Sequence, residues 1–170
     1  NHAATLSREV EYVEFDVDAV VKREERRIQE MLDRPKNGDR VAAIRLAMGQ
    51  SMNHNLAVFR NQTGMGETLR DVRELAERYV KAPVDDKGRV FNTDLVFALE
   101  LGFMLDCAET IALSALDRKD SRGAQARTDY PKRDDENWMK HVVVTKGEVG
   151  PEISYLPVSI TKWPPEERKY

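Results

Sequence analysis

The sequence predicts a mainly α-helical fold: an antiparallel three-helix bundle of the spectrin-repeat kind, followed by a polar loop and a small C-terminal β-hairpin. Apolar residues recur with a helical period over three long stretches and one shorter stretch. The short connections between these stretches favour antiparallel neighbours. Near the C-terminus, two runs rich in Val, Ile and Tyr flank a turn that contains Gly and Pro. We expect one domain overall, with an arm or linker at 1–15, the helical bundle at 16–118, and the loop, hairpin and extended tail at 119–170.

The N-terminal part of the chain predicts an arm and then a first helix. Residues 1–15 have no clear period, and we expect a short extended arm that carries the apolar side chains Val10, Tyr12, Val13 and Phe15. Either Asp16 or Asp18 can cap the helix that follows. This helix should stop before Pro35, because the residue before a proline is disfavoured in helical conformation.

Two further helices are predicted from the middle of the chain. Asp39 can cap the second helix, whose apolar stripe runs from Val41 to Phe59. The run Thr63-Gly64-Met65-Gly66 is expected to break that helix, and a third helix then ends near Pro83. His54 is interpreted as a polar contact between helices, since no second histidine stands at a metal-binding spacing.

The fourth helix is predicted from Leu95 to about Leu116, with Asn92, Thr93 and Asp94 as possible caps. It is apolar around most of its circumference, which indicates a central, buried helix. Cys107, the chain's one cysteine, is therefore expected to be buried as a small hydrophobic residue. The hairpin should pair 141–145 with 153–161, and the tail from Trp163 should be extended.

Composition excludes several classes of function. The 27 basic and 30 acidic residues are interleaved and give a net charge of −3, so no basic face for nucleic acid is indicated. No apolar run approaches the ~18 to 20 residues that cross a bilayer, so direct membrane insertion is not expected. The histidines are scattered, and no metal site is predicted.

A polar loop between Ser121 and Trp138 carries most of the candidate chemistry. Its arginines could hold a dicarboxylate or a nucleotide, because guanidinium forks bind carboxylate and phosphate through two hydrogen bonds. The arginines and aspartates could instead satisfy one another and pin the loop to the bundle, and this is the interpretation that we favour. The residues that we expect to form a domain-docking surface are Arg122, Gln125, Arg127, Asp129, Arg133, Asp134 and Trp138.

Carboxylates on the fourth helix offer an alternative. Asp106 and Glu109 lie three residues apart, and Glu100 precedes them. A hydrolase that uses this carboxylate pair is conceivable. Buried carboxylates are costly unless they are paired, so we expect these side chains to accept hydrogen bonds from arginines of the polar loop.

Four separated motifs carry a resemblance to a known family. They are Met52–Arg60, Phe91–Leu95, Ser121–Trp138 and Trp163–Tyr170. In this order they resemble the C-terminal segment of succinate dehydrogenase and fumarate reductase flavoprotein subunits, over about residues 17–170. L-aspartate oxidase shares the Ser121-Arg122-Gly123 element and is an alternative, but Arg133–Trp138 favours the succinate and fumarate branch. The sequence departs from the family at Gln125, where the family usually has His.

The resemblance implies a role within a larger enzyme. The parent enzyme would oxidise succinate to fumarate through FAD and pass electrons to an iron-sulfur subunit and quinone. It would lie at the cytoplasmic face of the inner membrane as a peripheral part of a complex. This chain would be the helical C-terminal domain, which packs on the FAD-binding domain of the same polypeptide. We therefore expect no catalytic, cofactor-binding or metal-binding residue in it, no bound FAD and no activity in isolation. A free-standing helical adaptor is the alternative from another class.

Overall fold

The structure is a computed structural model that describes residues 2–11 and 14–166. It is mainly helical and ends in a small antiparallel strand pair. The helices are α1 (His2–Glu9), α2 (Val17–Asp33), α3 (Val41–Asn55), α4 (Gln62–Tyr79), α5 (Thr93–Asp117) and α6 (Asp135–Trp138). The strands are β1 (Phe59–Arg60), β2 (Ala126–Arg127), β3 (Lys140–Lys146) and β4 (Pro151–Pro157).

The N-terminal arm differs from the sequence expectation. Residues His2–Glu9 form α1, so the prediction of an extended arm is wrong there. Ala, Leu, Arg and Glu are good helix formers, and they produce an exposed helix without an apolar stripe that the sequence pattern could reveal. Val10 and Phe15 lie outside helices and are exposed. Tyr12 and Val13 lie outside the described residues.

The first long helix, α2, has the predicted limits. The side chain of Asp16 accepts a hydrogen bond from the backbone N–H of Ala19 at 2.9 Å and caps the helix. The helix ends at Asp33, before Pro35, as predicted. Its last turns contribute Met31 and Leu32 to the core.

The break between α3 and α4 lies earlier than predicted. Helix α3 ends at Asn55, and the side chain of Asn61 starts α4 by accepting from the backbone N–H of Gly64 at 2.9 Å. Gly64 lies close to α3, since a Cβ there would lie 2.8 Å from Oδ1 of Asn55 and would displace that side chain. The predicted break at Thr63–Gly66 is therefore wrong.

Two other predictions for α3 are also wrong. Arg40 occupies the N-cap position without a side-chain bond, and Asp39 instead accepts a hydrogen bond from Arg78 of α4 at 2.8 Å. His54, in the last turn of α3, is exposed, and among the described residues no hydrogen bond or ion pair joins its side chain to another helix.

Helices α3, α4 and α5 contact one another and, with the end of α2, enclose the main core. Asn92 caps α5 by accepting from the backbone N–H of Leu95 at 2.7 Å, as predicted. Small side chains dominate the buried face of this helix, which consists of Ala98, Leu101, Leu105, Ala108, Ala112 and Ala115.

The opposite face of α5 is exposed, although the sequence predicted burial around most of the circumference. Phe103 is 57% exposed and Ile111 is 51% exposed. Cys107 lies on the same side and is also exposed, so the expectation of a buried thiol is wrong. The apolar composition of α5 marks two faces, of which the bundle covers one.

The strand pairs close the fold at the C-terminal end of α5. Strands β3 and β4 are antiparallel and pair Lys140 with Pro157, which confirms the hairpin. The second strand ends at Pro157, well before Thr161, because β3 offers no pairing residue beyond Lys140. Strands β1 and β2 are parallel and pair Phe59 with Ala126. None of the described helices combines the length and apolarity of a membrane-spanning segment.

Candidate functional site

Arg127, in the polar loop, lies at the C-terminal end of α5. Its side chain is 1% exposed, and Nη1 donates to the carbonyl oxygens of Arg118 at 2.8 Å and Ala115 at 3.3 Å. The last carbonyls of a helix lack intrahelical partners, and a cation is favourable there because of the helix dipole. The polar loop therefore closes the end of α5 with a buried guanidinium.

Arg127 also pairs with Asp129 through two parallel hydrogen bonds, Nε to Oδ1 at 2.7 Å and Nη2 to Oδ2 at 2.8 Å. This pairing holds the pKa of Asp129 well below its usual range. Oδ2 of Asp129 also accepts from the backbone N–H of Gln62, the first residue of α4, at 2.8 Å. One ion pair thus joins the end of α5 to the start of α4.

Asp120, directly before the polar loop, is a second centre of ion pairing, and it was not among the predicted site residues. Its side chain is 0% exposed. It accepts hydrogen bonds from Nη1 of Arg118 at 3.3 Å and Nε of Arg122 at 3.2 Å, and from the backbone N–H of Asp134 at 3.4 Å. The available signal was a single acid within the basic run Arg118–Arg122, where a carboxylate has cations on both sides.

Asp135 connects the two ends of the loop. It accepts from Arg122 Nη2 at 2.6 Å and forms two bonds with Arg133, from Nε at 2.7 Å and from Nη2 at 2.6 Å. These hydrogen bonds, those of Arg133 first, lower the pKa of Asp135 to about 2. Arg133 also donates from Nη1 to the carbonyl oxygen of Glu166 at 2.8 Å, which ties the C-terminal tail to the loop.

Asp134 and Trp138 lie at the two ends of α6. The side chain of Asp134 caps this short helix by accepting from the backbone N–H of Asn137 at 3.0 Å, and this bond lowers the pKa of Asp134. The ring of Trp138 meets that of Tyr155 edge to face at 6.3 Å between centroids. The guanidinium of Arg118 lies 5.3 Å from the centroid of the Trp138 ring.

Gln125 follows a tight turn in which Gly123 has a φ of +58°. The backbones of Arg122 and Gln125 exchange two hydrogen bonds across this turn, at 2.9 and 3.0 Å. Nε2 of Gln125 donates to the carbonyl oxygen of Arg118 at 3.2 Å, and Oε1 accepts from Nη1 of Arg60 at 3.5 Å. The side chain therefore lies between the end of α5 and the strand β1.

The loop contacts confirm the interpretation that its arginines and aspartates satisfy one another and pin the loop to the bundle. The interpretation of the α5 carboxylates is wrong. Glu109 accepts a hydrogen bond from Arg73 of α4 at 2.7 Å, rather than from the loop. Asp106 and Glu100 are exposed. Within residues 2–11 and 14–166, no cluster of three or more His, Cys, Asp or Glu side chains is suited to a metal ion.

A cleft of about 770 Å³ is lined by residues of α5 and β3. Its lining includes the basic side chains of Arg60, Arg118, Arg122 and Lys140, and the lining residues include no Asp or Glu. Two of these guanidinium groups are paired with carboxylates that do not line the cleft, Arg118 with Asp120 and Arg122 with Asp135. The chemistry of this cleft therefore suits an anionic group next to apolar surface.

Comparison with known families and proteins gives consistent matches. The family described as "Fumarate reductase flavoprotein C-term" matches residues 45–170. The fumarate reductase flavoprotein subunit of Haemophilus influenzae is 42% identical over 142 residues, which cover 83% of this chain and 24% of that protein. The succinate dehydrogenase flavoprotein subunit of Rickettsia conorii is 43% identical over 122 residues, which cover 71% of this chain and 20% of that protein.

Solved structures share the fold. The FrdA chain of a mutant E. coli quinol fumarate reductase superposes with a TM-score of 0.86 at 32% identity, over 95% of this chain and 28% of that chain. Mycobacterium smegmatis Sdh1 superposes with a TM-score of 0.79 at 26% identity, over 94% of this chain and 27% of that chain. This chain thus spans about a quarter of the length of the proteins that it matches. On this evidence the chain belongs to the family of succinate dehydrogenase and fumarate reductase flavoprotein subunits, and it corresponds to their C-terminal domain.

Proposed function

We propose that this chain acts as the helical C-terminal domain of a flavoprotein subunit that oxidises succinate to fumarate through FAD. Electrons would then pass to an iron-sulfur subunit and to quinone. The family match over residues 45–170 supports this proposal, and so does the identity of about 40% with relatives of this kind. The flavin-binding and substrate-binding parts of the parent enzyme would lie in the three quarters of the relatives' length that this chain does not cover.

The domain itself would serve structure and assembly. One observation carries this role: the loop arginines donate to the chain's own carboxylates and to the carbonyl oxygens at the end of α5. A substrate dicarboxylate would have to displace these internal partners to bind there. We therefore propose no catalytic, flavin-binding or metal-binding residue in the domain. It would contact the FAD-binding domain of the same polypeptide through the loop surface formed by Arg122, Gln125, Arg127, Asp129, Arg133, Asp134 and Trp138.

Within that surface, the side chains would contribute differently. Arg127 is buried and would act by fixing the loop backbone. Trp138 and Arg122 line the cleft and are open to a neighbouring domain. The parent subunit would lie at the cytoplasmic face of the inner membrane, attached through its partners. We also propose that α3, α4 and α5 form an antiparallel, spectrin-repeat-like bundle, which their mutual contacts support. The segment limits at 16–118 and 119–170 remain proposals as well.

The size and flavin content of the native polypeptide test the proposal. An antibody raised against this domain should detect a membrane-associated band several times heavier than 19.5 kDa. That band should be present in preparations that reduce a dye with succinate and contain flavin. A flavin-free protein of 19.5 kDa as the native species would contradict the proposal and would favour the adaptor alternative.

A second experiment tests whether the isolated domain has activity or binds FAD. The purified domain should show no dye reduction with succinate and should retain no FAD after gel filtration. The full-length subunit, prepared in parallel, is the control that must show both. Activity or bound flavin in the isolated domain would contradict its assignment to structure and assembly.

A further inference from the structure

The cleft between α5 and β3 contains basic groups that no carboxylate neutralises within the described part of the chain. Arg118 and Arg122 belong to the loop network described above, whereas Arg60 and Lys140 take part in none of the salt bridges among residues 2–11 and 14–166. Both side chains are partly buried. Burying a basic group costs free energy unless an anion pairs with it. An anionic partner would therefore stabilise Arg60 and Lys140.

Two hydrogen bonds fix the position of the Arg60 side chain. Its Nε donates to the carbonyl oxygen of Ala57 at 2.8 Å, and Nη1 reaches Oε1 of Gln125 at 3.5 Å. Burial, with the repulsion of the nearby Arg127 guanidinium, lowers the pKa of Arg60. This direction is the reverse of what an anionic partner would produce. The remaining N–H groups of the guanidinium are therefore available to an acceptor in the cleft.

Lys140 is held by aromatic rings. Its Nζ lies 3.9 Å from the centroid of Tyr155 and 4.5 Å from that of Trp138. Cation–π contacts fix the position of an ammonium group without using up its charge or all of its three donors. An anion that approaches along the cleft would meet a cation that is already positioned.

Apolar side chains line part of the cleft and lie close to these cations. Ile111 lines the cleft and is 51% exposed, and the exposed stripe of α5 continues from it through Cys107 to Phe103. Val58 and Phe59, beside Arg60, are exposed as well. Exposed apolar side chains next to fixed charges are typical of a protein interface. A small inorganic anion would leave them uncovered, whereas a polypeptide segment would cover them.

We propose that this cleft is the docking site for an acidic polypeptide segment of the parent subunit, whose carboxylates pair with Arg60 and Lys140 and whose apolar side chains cover Ile111. The segment would belong to the part of the parent that this chain does not contain, and the inference rests on the function proposed above. The share of the relatives' length that this chain covers, 24 to 28%, leaves ample chain to supply it. The segment should be acidic, because the cleft is lined by basic side chains and by no Asp or Glu.

Zero-length cross-linking of the full-length flavoprotein tests the proposal. A carbodiimide joins a lysine amine to a carboxylate only where the two are in contact. We expect peptide mass spectrometry to find Lys140 joined to an Asp or Glu that precedes this chain in the parent sequence. The variant Lys140→Arg keeps the charge but cannot form the amide, so it should reduce this cross-link at least tenfold. The control Lys22→Arg, at an exposed position of α2, should leave the yield unchanged.

Other outcomes would overturn the docking site. One is a Lys140 that joins only carboxylates of its own domain or none at all. Another is protection of Lys140 from acetylation by inorganic phosphate alone, while Lys22 remains reactive. This result would indicate a site for small anions. Flavin content and succinate-dependent dye reduction are measured on the same sample. An active, flavin-containing enzyme without the cross-link overturns the docking site alone, whereas a flavin-free, inactive full-length protein overturns the proposed function.

Discussion

The guanidinium of Arg127 faces the carboxylate of Asp129 through two parallel hydrogen bonds of 2.7 and 2.8 Å. The same guanidinium closes the C-terminal end of α5, and the same carboxylate binds the first backbone N–H of α4. Two residues of the polar loop thus join two helices that contact each other along the bundle. This relationship makes the loop part of the domain's stability.

Replacing Arg127 by Met should therefore be strongly destabilising. The change removes a buried cation and its hydrogen bonds to the carbonyls of Ala115 and Arg118, which then keep only the longer hydrogen bonds from Nε2 of Gln125, at 3.4 and 3.2 Å. We expect the free energy of unfolding to fall by about 3 to 5 kcal/mol, the usual cost of breaking a buried pair. Urea denaturation measures it, with the exposed Arg45→Met on α3 as control, for which a change within about 0.5 kcal/mol is expected. Equal effects of the two substitutions would contradict this role.

Asp120→Asn should cost about as much. The substitution leaves the guanidinium groups of Arg118 and Arg122 facing a neutral amide in a buried site, so a loss of about 3 kcal/mol is expected. Asp106→Asn, at an exposed position on α5, provides the matched control. Urea denaturation of both variants measures the difference. A stability of Asp120→Asn within error of the control would show that the buried carboxylate is dispensable.

Acid should destabilise the domain through Asp135. Its pKa is lowered to about 2 by hydrogen bonds from Arg133 and Arg122, against about 3.9 in an unfolded chain. The stabilisation is therefore complete above about pH 4 and is lost as the pH falls towards about 2. Asp135→Asn should flatten the pH dependence of the unfolding free energy in that window. Parallel curves for the variant and the unmodified protein would refute the assignment.

Asn92 is expected to stabilise α5 and the loop before it by separate bonds. Its Oδ1 caps the helix, and its Nδ2 donates to the carbonyl oxygens of Asp86 and Gly88, both at 2.8 Å. Asn92→Ala should cost about 1 to 3 kcal/mol because it removes the cap and leaves two carbonyls without their donor. Asn92→Ser keeps a cap acceptor and should recover part of the loss. Identical unfolding free energies for the two variants would show that the cap contributes nothing.

Tyr155→Phe should loosen the hairpin from α5. The Tyr155 hydroxyl donates to the carboxylate of Asp117 at 2.8 Å, a bond that raises the pKa of the phenol. The ring remains in the variant and keeps its contact with Trp138, so a loss of about 1 kcal/mol isolates the hydrogen bond. Hydrogen exchange of the β3–β4 amides should become faster. The control Tyr130→Phe, at an exposed loop position, should leave these amides unchanged.

Local signals predicted the parts of the fold that local chemistry decides. The caps at Asp16 and Asn92 are short contacts within three residues of sequence, and the stop before Pro35 follows from one backbone restriction. Gly64 misled the prediction because its role is a close approach to Asn55 of another helix. In sequence, a glycine in the first turn of a helix is indistinguishable from a glycine that breaks a helix.

The polar loop was predictable in kind and not in detail. Its charge composition indicated mutual pairing, and its arginines and aspartates do pair. The role of Asp120 was not predictable, because it depends on the burial of the carboxylate and on its ion pairs with Arg118 and Arg122. Sequence spacing does not reveal burial. The exposed side of α5 was likewise unpredictable, since composition records which side chains are apolar and not which of them the domain itself covers.

The parallel pair β1–β2 has a consequence for how the domain forms. It brings Arg127 to Gln62, 65 residues earlier in the chain. Closing so long a segment costs entropy before any contact compensates for it, and such contacts tend to form late. The loop contacts would then be absent from the folding transition state, and loop substitutions would act mainly on the unfolding rate. The loop would thus set the lifetime of the folded domain more than the speed at which the domain folds.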